Sequence, residues 1–161
     1  MNGEILGVKD GTMIKVLHHA AISVSDLDKS IHFYRNLLGM TLEWRMDHRQ
    51  GESLERVVGM KNVDVSIALL SGWGSRIELL QYHSPKGKPY PPNKLQCDKG
   101  IIHLAFQVEN IDDSYKQLLD QGVQFNSPPL VLRAGVKVTY FHDPDWVTLE
   151  LVQYSEEEGT S

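Results

Sequence analysis

The sequence repeats itself, and the repeat limits the folds that the chain can adopt. The segment HHAAISVSDLDKSI at 18–31 aligns without gaps with IHLAFQVENIDDSY at 102–115, and His19 falls on His103. Self-similarity of this kind indicates two copies of one supersecondary unit. The chain has 161 residues, of which 41% are hydrophobic, so the two copies together are long enough to bury an ordinary core. We therefore expect one globular chain made of two related modules.

A second match closes each half of the repeat. The segment IELLQY at 77–82 corresponds to LELVQY at 149–154, which places Glu78 on Glu150. The first half is the longer one, because the polar stretch MDHRQGESLERVVGMKN has no counterpart in the second half. Each half therefore supplies one histidine near its start and one glutamate near its end.

The pattern within each half predicts one strand, one helix and three further strands. In the first half Ser25 is a candidate N-cap, apolar residues follow at helical spacing, and Gly39 ends the helix. In the second half Asn110 is the candidate N-cap and Gly122 ends the helix. Short β-type runs follow both helices. The expected fold class is α+β, with two βαβββ modules.

Composition shifts along the chain predict its domain organisation. The stretch HSPKGKPYPPNKLQCDKG is rich in Pro, Gly and Lys, which is typical of a linker. Its lysines, Lys86, Lys88, Lys94 and Lys99, suit an exposed loop better than a site for an anionic substrate group. The predicted parts are an N-terminal tail at 1–14, a first module at 15–82, a linker at 83–99, a second module at 100–154 and a C-terminal tail at 155–161.

Strand alternation points to a metal site. Side chains of a strand alternate between two faces, so Glu78 and Glu150 lie opposite the apolar residues that flank each of them. A carboxylate withdrawn from water there must pair with a cation or bind a metal. His19 and His103 lie on the polar faces of the opening strands. Two imidazoles and two carboxylates, without sulfur, suit one divalent ion such as Zn, Ni, Co, Mn or Fe.

Charge, hydropathy and cysteine content exclude several other classes. The formal net charge of −5 argues against a nucleic-acid partner, which needs a basic face. The apolar runs are too short to span a bilayer, and the first residues lack the pattern of a secretory signal, so we expect a cytoplasmic protein without membrane association. Cys97 is the single cysteine, which excludes an intrachain disulfide and a thiolate metal site. A small-molecule substrate is the expected partner.

Four segments together resemble the vicinal oxygen chelate superfamily: HHAAISVSDLDKSIHFYRNLLGM, RIELLQY, GIIHLAFQVENIDDSYKQLLDQGV and FHDPDWVTLELVQ. This family includes glyoxalase I, methylmalonyl-CoA epimerase, extradiol dioxygenases, fosfomycin-modifying enzymes and bleomycin-binding proteins. The resemblance covers roughly residues 15–154. It implies a glyoxalase-like fold, in which the strands of paired βαβββ modules curve into a mixed-sheet cup around a metal. The family's metal positions fall on His19, Glu78, His103 and Glu150.

The filled ligand set favours the glyoxalase and epimerase branch. The resemblance then implies a metal-dependent lyase or isomerase that removes a proton next to a carbonyl of a small substrate or thioester, through a metal-stabilised enediolate. Glu150 or Glu78 would be the general base, and Glu43, Glu55 and Tyr82 are further candidates. A homodimer is expected, with the metal site either within one chain or across the dimer interface. The alternatives are a ring-cleaving Fe(II) dioxygenase and a non-catalytic, ligand-sequestering resistance protein.

One position departs from the family pattern. The turn before the last strand reads Asp143, Pro144, Asp145 and Trp146, whereas the family usually has a glycine in the place of the tryptophan. Either the turn has a different geometry or the indole covers part of the pocket. The departure weakens any transfer of substrate preference from the family.

Overall fold

The structure is a computed structural model that describes residues 14–91 and 94–155. The predicted tails at 1–14 and 155–161 lie outside the described residues, apart from residues 14 and 155. Two four-stranded mixed sheets and a few short helices make up the described part, which confirms the α+β class and the two modules. No helix within it is both long enough and apolar enough to cross a bilayer. The predicted cytoplasmic location stays a prediction.

The first module contains more helices and strands in total than the second. Its sheet has the order β1-β4-β3-β2, in which β1 is parallel to β4 and the other pairs are antiparallel. The strand β1 therefore lies at one edge of the sheet. The elements are β1 (Ala20–Ser23), α1 (Leu27–Ile31) continued by a π-helical segment (His32–Leu37), β2 (Thr41–Arg49), α2 (Glu52–Val58), β3 (Asp64–Gly72) and β4 (Ser75–Ser84).

The second module repeats this topology, as the sequence predicts. Its sheet has the order β5-β8-β7-β6, and β5 is the parallel edge strand that pairs with β8. The strand that carries the repeat's opening motif thus lies at a sheet edge in both modules. The elements are β5 (Leu104–Gln107), α3 (Ile111–Asp120), β6 (Leu130–Arg133), β7 (Val136–His142) and β8 (Thr148–Tyr154).

The helix ends follow capping chemistry, with one correction to the sequence prediction. Asn110 caps α3, since its side chain accepts hydrogen bonds from the backbone N–H groups of Asp112 and Asp113. The prediction that Ser25 caps α1 is wrong, because the side chain of Asp26 accepts the hydrogen bond from the N–H of Lys29. The two residues are adjacent, and both side chains are good N-caps.

The segment unique to the first module contains the helix α2, which the sequence analysis did not predict. Leu54, Val57 and Val58 recur at helical spacing, but the helix has only 7 residues and none of them is buried, so the apolar pattern is too short to identify a helix. Gly59 ends the helix in the left-handed region with a φ of 69°, where glycine is favoured. The Glu55 side chain accepts hydrogen bonds from the N–H groups of Asn62 and Val63, at 2.8 and 3.4 Å. This contact fixes the end of the insert.

The two modules share one hydrophobic core on the helix side of both sheets. Phe33 and Tyr34 of the first module are buried, and the ring of Phe33 lies 6.4 Å from that of Phe141 in β7. The Tyr34 hydroxyl donates a buried hydrogen bond of 3.0 Å to the carboxylate of Asp143. A hydrogen bond between a phenol and a carboxylate is stronger away from water than in it. The bond from Tyr34 to Asp143 therefore fixes the first helical segment against the second module.

The glutamate-bearing faces lie away from this shared core. Ile77 and Leu79 belong to the core, so alternation along β4 directs Glu78 to the opposite face. Leu149 and Leu151 of β8 also belong to it, and Glu150 points the other way. Because the modules pack through their helix sides, the two glutamate faces lie on the outer sides of the core.

Candidate metal centre

The first pair of predicted ligands meets across β1 and β4. Ala21 of β1 is in register with Glu78 of β4, which brings the preceding His19 close to that carboxylate. The distance from His19 Nε2 to Glu78 Oε2 is 3.6 Å, and the two side chains are 34% and 21% exposed. The parallel pairing of the opening and closing strands therefore assembles one histidine and one glutamate within the module.

The second pair repeats the arrangement in the second module. His103 Nε2 lies 3.1 Å from Glu150 Oε2, and the Glu150 side chain is only 14% exposed. Tyr140 of β7 is in register with Glu150, and its ring centroid is 5.1 Å from that of His103. Burial, followed by the nearby Glu150 carboxylate, raises the pKa of Tyr140. The tyrosine therefore stays a neutral hydrogen-bond donor next to the pair.

Both histidines present the same nitrogen to their glutamate, and the other nitrogen has a partner. His19 Nδ1 lies 2.8 Å from Nδ1 of His18, and His103 Nδ1 lies 3.4 Å from Oε1 of Gln96. The amide oxygen of Gln96 can only accept a hydrogen bond, so Nδ1 of His103 donates and Nε2 keeps the lone pair that binds a metal, while the contact with His18 orients the ring of His19. Sequence reasoning missed His18 and Gln96 as orienting residues, because neither position is repeated between the halves.

The donor atoms fit a divalent metal ion. Two nitrogen or oxygen ligands that are each about 2.1 Å from one ion and at right angles are separated by about 3 Å. The measured separations of 3.6 and 3.1 Å match such neighbouring ligands. Two carboxylates neutralise a 2+ ion, and the imidazoles add no charge. Each module therefore presents one nitrogen and one oxygen donor that suit a divalent ion.

The chain does not bring the two halves together into one cluster. In the described residues, a group of three ligand atoms within 4.8 Å of one another is formed by His48, Asp64 and His83, and not by the four predicted ligands. Those four residues are instead two separate pairs, one on each glutamate face. Their joint coordination of one ion stays a prediction.

The weaker base candidates have other contacts. Glu43 accepts a 3.1 Å hydrogen bond from Arg76 Nε, and this bond lowers the pKa of Glu43. Glu55 accepts the backbone hydrogen bonds that end the α2 insert. Tyr82 is two positions from Leu80 and four from Glu78 on the same face of β4. The hydrogen bonds of Glu43 and Glu55 leave Glu78 and Glu150 as the better-placed carboxylates.

The turn at Trp146 keeps a glycine-like backbone. Trp146 has a φ of 66°, in the left-handed region, and Asp143 Oδ1 accepts hydrogen bonds from the N–H groups of Asp145 and Val147. The indole is 57% exposed, and its ring centroid lies 5.1 Å from that of His142 at the end of β7. The tryptophan therefore adopts the conformation that a glycine would have, and its ring covers His142.

Comparison with known families gives one broad match. The profile of the Glyoxalase/Bleomycin resistance protein/Dioxygenase superfamily matches residues 16–151, which include all four predicted ligands. A probable lactoylglutathione lyase from Synechocystis is 31% identical over 142 residues, covering 86% of this chain and 95% of that protein. The match therefore extends over both modules.

Two further proteins are also similar to this chain over most of its length. Human mitochondrial methylmalonyl-CoA epimerase is 29% identical over 143 residues, covering 85% of this chain and 73% of the epimerase. The crystal structure of a glyoxalase family protein from Bacillus cereus superposes with a TM-score of 0.79 and 23% identity, covering 92% of this chain and 99% of that chain. The structural similarity shows a common fold.

Proposed function

This chain belongs to the glyoxalase/bleomycin resistance protein/dioxygenase superfamily, and from this premise we propose that it is a metal-dependent lyase or isomerase of the glyoxalase type. Its substrate would be a small carbonyl compound or thioester, as in lactoylglutathione lyase or methylmalonyl-CoA epimerase. The observation that carries the proposal is the repeated His–Glu pair, with Nε2 facing Oε2 in both modules at 3.6 and 3.1 Å. Unrelated polar residues would not recur in this geometry.

His19, Glu78, His103 and Glu150 would hold one divalent ion per site, of the type Zn, Ni, Co or Mn. When bound, such an ion stabilises negative charge on substrate oxygens as a Lewis acid. Gln96 keeps His103 in the tautomer that offers Nε2, and His18 orients the ring of His19. The donor set and its orientation support this assignment.

Glu78 or Glu150 would act as the general base. The carboxylate accepts the proton from the carbon next to the carbonyl, the C–H bond breaks, and its electron pair moves toward the carbonyl oxygen. In a lyase or isomerase the same carboxyl group would return the proton to the neighbouring carbon, whereas in an epimerase the other glutamate, in its protonated form, would give its proton to the opposite face of the same carbon. Glu150 is the more buried of the two, and the neutral Tyr140 is positioned to donate a hydrogen bond on this side of the site.

A homodimer would complete the site. The half-sites lie on the outer sides of one chain's core. The strands β1 and β5, which follow His19 and His103, are both edge strands, whose free backbone groups favour pairing with another chain. Apolar residues just before these strands are exposed, with Leu17 at 89% and Ile101 at 79%. We propose that the first module of one chain faces the second module of its partner, so that each dimer has two complete centres.

Activity assays with defined metal content test the proposed reaction. Protein stripped with a chelator and reloaded with Zn, Ni, Co or Mn is assayed with the hemithioacetal of methylglyoxal and glutathione, and with methylmalonyl-CoA. We expect metal-dependent turnover of one of these substrate types and a loss of at least about 100-fold in Glu78→Gln and Glu150→Gln. Full activity after complete removal of the metal would contradict the proposal.

The same assays separate the rival functions. A ring-cleaving dioxygenase would consume oxygen with catechols when loaded with Fe(II), and it would be inactive without oxygen. A sequestering protein would bind its ligand tightly after chelation of the metal and would release it unchanged. The complete pair in each module favours the lyase or isomerase, because Glu78 occupies a position that the facial triad of a dioxygenase leaves open for substrate or oxygen.

A further inference from the structure

A second cluster of metal-ligand side chains lies at one end of the first sheet. His48 near the end of β2, Asp64 at the start of β3 and His83 near the end of β4 each offer one ligand atom, and these three atoms lie within 4.8 Å of one another. The three residues are distant in sequence, and the antiparallel pairing of β2, β3 and β4 brings them together.

This cluster lies on the opposite face from Glu78. Ser66 of β3 is in register with Gln81 of β4, and the Gln81 side chain accepts a hydrogen bond from the N–H of Leu27 in α1. The face that carries Gln81 is therefore the helix side of the sheet. His83 follows Gln81 by two positions and points to the same side. The cluster is thus separate from the proposed catalytic centre.

The geometry of the cluster is held by specific contacts. His48 Nδ1 donates hydrogen bonds of 3.0 and 3.1 Å to the two oxygens of Asp64, whose pKa is lowered chiefly by this contact. The rings of His48 and His83 are stacked, with centroids 4.4 Å apart and an interplanar angle of 23°. Two imidazoles and one carboxylate at this separation are a donor set that suits a divalent transition-metal ion.

Buried Ser66 connects the two histidines. Its hydroxyl lies 2.9 Å from Nε2 of His83, and it accepts a 3.2 Å hydrogen bond from the backbone N–H of His48. His48 itself has a φ of 50°, in the left-handed region, next to an irregularity in the β2–β3 pairing. A strained backbone persists where surrounding contacts hold it, and such positions concentrate at functional sites. Ser66 thus acts as the kind of outer partner that orients a ligating histidine.

We infer that His48, Asp64 and His83 form a second binding site for a divalent transition-metal ion such as Zn²⁺, on the face of the first module opposite Glu78. Three protein ligands, two nitrogens and one oxygen, leave the remaining coordination positions to water. The part of the insert that contains α2 lies between His48 and Asp64 in the sequence. A bound ion therefore clamps both ends of this insert to the sheet and closes its loop.

Metal titration tests this inference independently of the proposed function. Chelator-stripped wild type is titrated with Zn²⁺ in the presence of a chromophoric chelator, and the predicted stoichiometry is two ions per chain. The His19→Ala, His103→Ala double variant should retain one ion. Addition of His48→Ala to that double variant should weaken the remaining binding at least about tenfold. His32→Ala is the matched control, because His32 is an exposed histidine outside the cluster.

Hydrogen exchange provides a second measurement that does not depend on the double variant. Zn²⁺ added to otherwise wild-type protein should slow amide exchange in the insert at 50–63, and His48→Ala or Asp64→Asn should abolish the slowing while the circular dichroism spectrum stays unchanged. If only the catalytic proposal fails, wild type should bind one Zn²⁺ per chain, and His48→Ala should remove this binding. The inference is overturned if His48→Ala binds Zn²⁺ with the same stoichiometry and affinity as His32→Ala.

Discussion

At the scale of single residues, the orientation of the ligand histidines depends on partners at Nδ1. His18 lies 2.8 Å from Nδ1 of His19 and is the orienting residue of the first half-site. Replacement of His18 by Phe keeps a ring of similar size but removes the hydrogen bond. We expect metal affinity at the His–Glu centre to fall by roughly 10- to 100-fold. Zn²⁺ competition titration measures this effect, and His32→Phe, which should titrate like wild type, is the control.

His142 should contribute to the pH dependence of the free energy of unfolding. Burial lowers the pKa of His142 below 6.5, and its Nε2–H donates a 2.8 Å hydrogen bond to Asn126. Because the unfolded chain then binds a proton more readily than the folded one, this contribution is present above pH 6.5 and is lost as the pH falls through the folded pKa. Urea unfolding measures the free energy of unfolding at each pH. Between about pH 7.5 and about pH 5, this free energy should fall less in His142→Gln than in wild type. Identical losses in the two proteins would contradict the assignment, and His32→Gln should follow wild type.

At the scale of secondary-structure elements, the α3 cap is the clearest local contribution to stability. The Asn110 side chain accepts two backbone hydrogen bonds at the start of the helix, both of 3.1 Å. Asn110→Ala should lower the free energy of unfolding by about 1 kcal/mol, because two N–H groups lose their partner. Chemical denaturation measures the change. Lys116→Ala in the exposed middle of the same helix should change the free energy of unfolding by less than about 0.5 kcal/mol.

The elements that the sequence predicted have strong local signals, and the others do not. The cap at Asn110 and the histidine and glutamate strands follow from capping chemistry and apolar alternation. The helix α2 has only 7 residues and buries none of them, so the helical spacing of Leu54, Val57 and Val58 is too short a pattern to distinguish it from a polar loop. The π-helical turn at His32–Leu37 keeps the apolar spacing of an α-helix closely enough that sequence cannot distinguish the two.

The cluster of His48, Asp64 and His83 was missed for a different reason. Its residues come from three strands, and two irregularities in the β2–β3 register lie between Leu42 and Arg49. An irregularity of register changes which face a side chain occupies, so counting parity along one strand cannot place His48. The repeat does not indicate His48 either, because His48 belongs to the stretch that has no counterpart in the second module.

At the scale of the whole molecule, the packing of the modules decides where the half-sites lie. The bond from Tyr34 to Asp143 and the contact of Phe33 with Phe141 join residues that are more than one hundred positions apart in the sequence. No local pattern specifies such contacts. The repeat predicts one histidine and one glutamate in each half, but it predicts neither the parallel strand pairing that brings them together nor whether the two pairs meet in one chain. The shared core separates them, and for this reason we propose that a second copy completes the centre.

Complementation between half-site variants tests the central claim most directly. One chain carries His19→Ala and Glu78→Gln, the other carries His103→Ala and Glu150→Gln, and both carry His48→Ala so that only the His–Glu centre is counted. Mixed dimers are isolated through two different tags, and their metal content is measured by mass spectrometry. We predict that each variant alone binds no metal at this centre and that each mixed dimer binds one ion. Mixed dimers as free of metal as the separate variants would contradict a four-ligand centre shared between two chains.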